Sequence, residues 1–167
     1  MAGRSDNVAL PLFFRRYDGD YDMRLPMTRL YIDIDGTLMR RGVPAEGIIP
    51  FLAFATEYFD CYWLSTHCRG DAKAVFLYLV GKLPEEAMSY IGKIKATSWD
   101  AIKTEAIDFS GPFFWLDDNL FDAERRALEE HGALDRHIRV DLVADPRRLL
   151  HLVDELRARE STAKTFT

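Results

Sequence analysis

An α/β fold built on a mainly parallel sheet is what this sequence predicts, and three observations predict it. Short apolar runs alternate with helical patterns along the chain. The runs are nearly continuous, as in strands buried on both faces. Pairs of acidic and hydroxyl residues follow the runs directly, where such sheets hold their ligands.

The elements are read in order. Leu30-Tyr31-Ile32-Asp33-Ile34 is the first expected strand. Cys61 to Leu64 is the second, Ser89-Tyr90-Ile91 the third, Phe113 to Leu116 the fourth and His137 to Val140 the fifth. Helices are expected over Pro50–Tyr58, Asp71–Val80 with Gly81 as its stop, Trp99–Ile107, and Asp122–His131 before Gly132. A last helix, Pro146–Arg159, has Asp145 as its cap. Five strands covered on both faces make a Rossmann-like three-layer sandwich. It is expected over residues 28–160, after an N-terminal extension (1–27) and before a polar tail (161–167) that frays.

With 167 residues the chain can bury one proper core. Its net charge of −5 and pI near 5.4 argue against a bulk nucleic-acid surface, though not against a local basic patch. No apolar run is long enough to span a bilayer, so no membrane partner is expected. No secretory signal precedes the first strand, and Cys61 and Cys68 form no disulfide framework; a cytoplasmic location is the expectation. Nothing in the pattern fixes an oligomeric state.

The chemistry is concentrated in four places. Asp33-Ile34-Asp35-Gly36-Thr37-Leu38 sets two carboxylates at the end of an apolar strand, with a glycine that permits a sharp turn. Side-chain alternation would point both acids to one side. A carboxylate attacks a phosphate dianion poorly unless a cation neutralises the repulsion, and such a pair makes an oxygen-rich Mg²⁺ site. Asp-x-Asp-Gly-Thr arises by chance in a chain this long on the order of a few times in a thousand. Ser65-Thr66 ends the second strand, and either hydroxyl can donate to a phosphoryl oxygen. Lys103 can offset phosphate charge, with Lys93 and Lys95 competing for that role. Asp117-Asp118 closes the fourth strand, where paired charge calls for a cation.

The order of these signals resembles the haloacid dehalogenase (HAD) superfamily of phosphohydrolases, over about Thr28 to Val140. The resemblance implies that Asp33 is the nucleophile and forms an aspartyl-phosphate. It implies that Asp35 protonates the leaving group, then activates water, while its backbone carbonyl binds Mg²⁺. Ser65 or Thr66 would hold a phosphoryl oxygen, beside Gly36 and Thr37, and Lys103 would stabilise charge. Asp117 and Asp118 would complete the metal site with Asp33 and Asp35. The expected activity is Mg²⁺-dependent hydrolysis of a phosphate monoester. A phosphotransferase, or a non-catalytic phosphate-binding protein on the same fold, are the alternatives.

Many members of that family carry an inserted cap. Here only Met39 to Asp60 and Arg69 to Ala101 are available, and neither gap fits one, so no separate cap domain is expected. An uncapped site suits a bulky or macromolecular phosphorylated partner, with Arg40, Arg41 and Arg69 as contacts for an extended anion. Two other patterns fail. Asp18, Asp20 and Asp22 begin a calcium-type loop but lack its glycine and glutamate. His67, Cys68 and Cys61 complete no zinc set, so loop and core roles are expected of them.

Overall fold

The computed structural model describes residues 27–165. The Asp18–Asp22 acidic run and all of the expected extension except Met27 lie outside the described residues. The fold is α/β. Strands β1 (Arg29–Ile32), β4 (Asp60–Trp63), β5 (Phe113–Asp117) and β6 (His137–Arg139) form one parallel sheet in the order β4-β1-β5-β6. A separate two-stranded antiparallel hairpin joins β2 (Met39–Arg40) to β3 (Val43–Pro44). The helices are α1 (Ile48–Tyr58), α2 (Ala72–Leu79), α3 (Glu85–Ile91), α4 (Asp122–Glu130) and α5 (Arg148–Thr165).

Strand alternation explains why the apolar runs are continuous. Leu30 and Ile32 of β1, and Phe114 and Leu116 of β5, enter the core under α1, α2, α3 and α5. The intervening Tyr31, Phe113 and Trp115 enter a smaller core with Leu128 of α4. The helices therefore cover both faces, unequally. The strand aromatics Trp63, Phe113, Phe114 and Trp115 are all buried, as core rather than as a stacking platform. Truncating Trp63 or Trp115 to alanine is expected to cost about 3–5 kcal/mol.

The sheet has four strands, not five. Ser89-Tyr90-Ile91 lies in α3. That helix starts directly after Pro84, carries Glu85 and Glu86 in its first turn, and buries Ala87 and Ile91 at helical spacing. Where a fifth strand would run there is a single parallel bridge between Tyr62 and Lys95. Lys95 N–H donates to the Cys61 carbonyl at 2.9 Å, and Trp63 N–H donates to the Lys95 carbonyl at 2.8 Å. Two residues on, the Thr97 hydroxyl rather than its backbone N–H donates to the Trp63 carbonyl, which ends the ladder.

The helix expected over Trp99–Ile107 is reduced to a 3-10 turn, Lys103–Ala106. Glu105 Oε2 accepts from the backbone N–H groups of Asp100 and Ala101 at 2.8 and 3.2 Å, holding that stretch in a side-chain-capped loop. In the other direction, α5 continues to Thr165, past the expected end at Arg159. Among the described residues, the insertion between β1 and α1 is only the β2–β3 hairpin.

Candidate functional site

The carboxyl ends of β1 and β5, neighbours in the sheet, bring the first and last acidic signals together. Asp33 follows β1 and its N–H donates to the Leu116 carbonyl of β5 at 3.0 Å. Asp117 ends β5. Carboxylate oxygens of Asp33, Asp117 and Asp118 lie within 4.8 Å of one another. Asp33 is only 6% exposed. Lys103, at the start of its 3-10 turn, reaches into this group. Its ammonium donates to Asp33 Oδ1 at 2.9 Å and to Asp117 Oδ2 at 2.6 Å. Glu124 of α4 anchors the turn: its Oε1 accepts from Lys103 N–H at 3.2 Å and its Oε2 from Phe121 N–H at 3.1 Å. Lys95 lies elsewhere, paired with Asp60 at 2.6 Å and set over the Tyr62 ring.

Burial and neighbouring charge together set the protonation of the group. Burial, then the charge of Asp117, raises the Asp33 carboxyl to about 7, with Lys103 pulling the other way. Burial and Asp117 also raise Asp118. Burial opposes the Lys103 ammonium, but Asp33 and Asp117 overcome it and hold its pKa above the usual lysine value. Three carboxylates facing one ammonium leave negative charge uncompensated.

The donor set fits a hard divalent cation, and the acids differ in availability. Asp117 is already occupied: Oδ2 also accepts from Trp115 Nε1 at 3.2 Å, and Oδ1 from Asn119 N–H at 3.1 Å. Asp118 is more exposed and packs against Gly36. Gly36 has φ 84°, and a Cβ there would run into the Asp118 carboxylate. The glycine of the first motif thus serves both the turn and the approach of Asp118. Asp33 and Asp118 have carboxylate oxygens free to face a divalent cation, while Asp117 is engaged by Lys103.

Asp35 departs from the alternation argument. β1 ends at Ile32, and Asp35 bridges to Met39 at the root of the hairpin. Its carboxylate meets polar groups from the β4–α2 loop and from α2. Oδ2 lies 2.6 Å from His67 Nε2, and Oδ1 accepts from the Tyr78 hydroxyl at 3.1 Å. The His67 and Tyr78 rings stack at 3.7 Å, and the Lys82 ammonium sits 3.3 Å over Tyr78. His67 was expected to have only a loop or core role, and Tyr78 carried no signal beyond its helix. Their polar atoms meet Asp35 because β4 lies beside β1, which puts the loop after β4, with His67, and the α2 that follows it near the end of β1. His67 directly follows Ser65-Thr66, a position at the strand end that marks it locally; Tyr78, inside α2, has no such mark.

The remaining residues are more dispersed. Ser65 is buried beside Asp33's strand, its Oγ accepting from His67 N–H at 3.5 Å, and Thr66 is exposed. Thr37 is fully buried, and its hydroxyl has no partner among the described residues. Arg40 and Arg41 are exposed on the hairpin. Arg41 and Gly42 have φ 51° and 77°, as a tight two-residue turn between right-twisted strands requires. The hairpin borders a cavity of about 400 Å³ lined by Arg40, Arg41, Glu46, Leu142 and Pro146. Arg69, φ 42°, lies in the loop after Ser65. A second cavity, about 360 Å³, borders Asp118 on its far side. No helix among the described residues is long and apolar enough to cross a membrane.

Compared with family models, curated proteins and solved structures, the chain finds no match.

Proposed function

We propose that this protein is a Mg²⁺-dependent phosphohydrolase of the HAD type, with Asp33 as the covalent nucleophile. One observation carries the reading: a buried Asp33 held by Lys103, with Asp117 and Asp118 beside it at the carboxyl ends of adjacent parallel strands. Phosphoryl transfer needs positioning and charge neutralisation more than covalent machinery, and these side chains supply both.

In the first step an Asp33 carboxylate oxygen bonds to phosphorus as the bond to the leaving oxygen breaks. The leaving oxygen takes a proton from Asp35. His67 Nε2, 2.6 Å from Asp35 Oδ2, and the Tyr78 hydroxyl, which donates to Oδ1, orient the Asp35 carboxyl. In the second step a water attacks the acyl phosphate at phosphorus and gives its proton to Asp35. Phosphate leaves and the Asp33 carboxylate is restored. Lys103 remains charged throughout and offsets the negative charge gathered on Asp33 and the phosphoryl oxygens. Mg²⁺ held by Asp33 and Asp118 would supply Lewis-acid neutralisation of the phosphoryl oxygens. Ser65 or Thr66 would donate to a phosphoryl oxygen. Arg40 and Arg41 would meet the remainder of a large phosphorylated substrate.

The test is a screen of phosphorylated compounds and macromolecules with Mg²⁺, run beside Asp33→Asn. Turnover that needs Mg²⁺ and disappears in a folded Asp33→Asn protein supports the reading. Equal turnover by the variant, or none with any substrate by the parent, contradicts it.

A further inference from the structure

We propose that the cavity beyond Asp118, between α4 and β6, is a second phosphate-binding site, formed by Arg125 and Arg139. Its use by a substrate rests on the phosphohydrolase reading of Asp33; its ability to bind phosphate does not.

The cavity is lined by Asp118, Asn119, Leu120, Arg125, His137 and Arg139, with Leu134 behind them. Its volume of about 360 Å³ falls within the roughly 300–1,000 Å³ of small-ligand sites. The two arginines approach from different elements, Arg125 from α4 and Arg139 from the end of β6. Both guanidiniums line the same cavity, and a guanidinium fork is a matched donor for a tetrahedral oxyanion.

Neither arginine is committed. Among the described residues, Arg125 has no acidic partner. Arg139 reaches Asp141 at 3.5 Å, with its side chain 71% exposed. Such a pair contributes little and is given up easily. Positive charge also accumulates at the wall between them. Burial holds the His137 imidazole down at about 4, and the neighbouring charges of Arg125, Lys103 and Arg139 push the same way. His137 is therefore neutral at ordinary pH and keeps its own charge out of the balance. The ring bonds to the Asn119 backbone, and its Nε2 is buried without a partner among the described residues. Asp118 is the one acid in the wall, and it is also a proposed holder of the cation that would offset it.

Asp118 belongs to both sites, so the cavity and the Asp33 group share a wall. A phosphate in the cavity can come from two sources: a second phosphate on the substrate, or free inorganic phosphate. The chemistry recognised is the same.

The experiment titrates inorganic phosphate into the full chain in excess chelator and follows backbone amide shifts by NMR. Without a divalent cation three carboxylates repel phosphate at Asp33, whereas the cavity sets two guanidiniums against Asp118 alone, so saturable binding reports on the cavity. Saturable shifts at Asn119, Arg125 and Arg139 are expected in the parent and in Asp33→Asn. The double variant Arg125→Ala with Arg139→Ala should weaken affinity at least tenfold while its thermal melt stays cooperative. Absence of saturable shifts, or equal affinity in the double variant, overturns the proposal. A kinetic arm with Mg²⁺ then compares a bisphosphate with the matching monophosphate. A preference for the bisphosphate that falls at least tenfold in the double variant identifies the substrate as the source. No preference, with the titration intact, identifies free phosphate. Failure of every compound to turn over would defeat the phosphohydrolase reading and leave the titration result standing.

Discussion

Lys103 spans 70 residues of sequence to reach Asp33 and 14 to reach Asp117, and both bonds end on carboxylates. Replacing it with alanine removes the only ammonium paired with the buried Asp33 among the described residues. Turnover is expected to fall about 100- to 1,000-fold in Lys103→Ala, the usual cost of losing one preorganised donor to developing charge. Lys95→Ala removes an exposed pair with Asp60 and should change turnover less than about threefold. Steady-state kinetics on one phosphate ester checks both; the reverse ranking would move the role to Lys95. The sequence left Lys93, Lys95 and Lys103 open because spacing along a loop does not say which side chain turns inward. That depended on Glu124, 21 residues away, taking the Lys103 N–H. Asp33, Asp117 and Asp118 were legible because each follows an apolar run, and a run's end is a local property. The His67–Asp35–Tyr78 cluster was not, since 32 and 43 residues separate its members from Asp35.

The β2–β3 hairpin rises from the same loop that carries Asp35 and Gly36, and it holds Arg40 and Arg41 out in solvent. A small phosphate monoester would meet few of its atoms. A larger phosphorylated partner could use binding energy there to lower the barrier at Asp33. The double variant Arg40→Ala with Arg41→Ala is therefore expected to lower kcat/KM about tenfold on a macromolecular substrate. It should leave a small ester within about twofold, and the difference should shrink as salt rises. Equal effects on both classes would remove the hairpin from substrate recognition. Element boundaries followed from sequence where two signals agreed: Asp71 caps α2 through Lys73 N–H at 2.8 Å, and Gly132 follows α4 with φ 62°. They failed where one signal stood alone. Tyr90 and Ile91 suit a strand or a helix, and Pro84 with two glutamates decided for the helix. Trp99–Ile107 has apolar residues at helical spacing, but Glu105 draws its backbone into a capped turn.

Across the whole molecule, folding buries acidic groups whose charges one lysine does not balance, and pH exposes that cost. Asp33 moves from 3.8 to about 7 on folding, so the native state holds its proton longer than the unfolded chain. Its contribution to stability is therefore present at low pH and lost as pH rises through about 4 to 7. His137, lowered from 6.5 to about 4, acts oppositely, adding stability as pH rises through that window. Comparing the parent with Asp33→Asn cancels the His137 part. In chelator, the Tm of Asp33→Asn should exceed that of the parent by an amount that grows from pH 5 to pH 8. Each 1 kcal/mol corresponds to about 2–4 °C in a chain of this size. Adding Mg²⁺ should raise the parent more than the variant; a pH-independent difference would contradict this balance. The α/β class and the parallel sheet were legible from alternation of pattern. The missing fifth strand was not, because Lys95 pairs for one residue and then a threonine hydroxyl replaces the ladder. The most direct measurement of the central claim is chemical. The protein is mixed with a turned-over phosphate ester and Mg²⁺, quenched in acid during the first turnover, and digested for peptide mass spectrometry. One phosphoryl group on Asp33 is predicted, absent in Asp33→Asn. Turnover with no phosphorylated peptide, or with the phosphoryl group on another residue, would contradict the account.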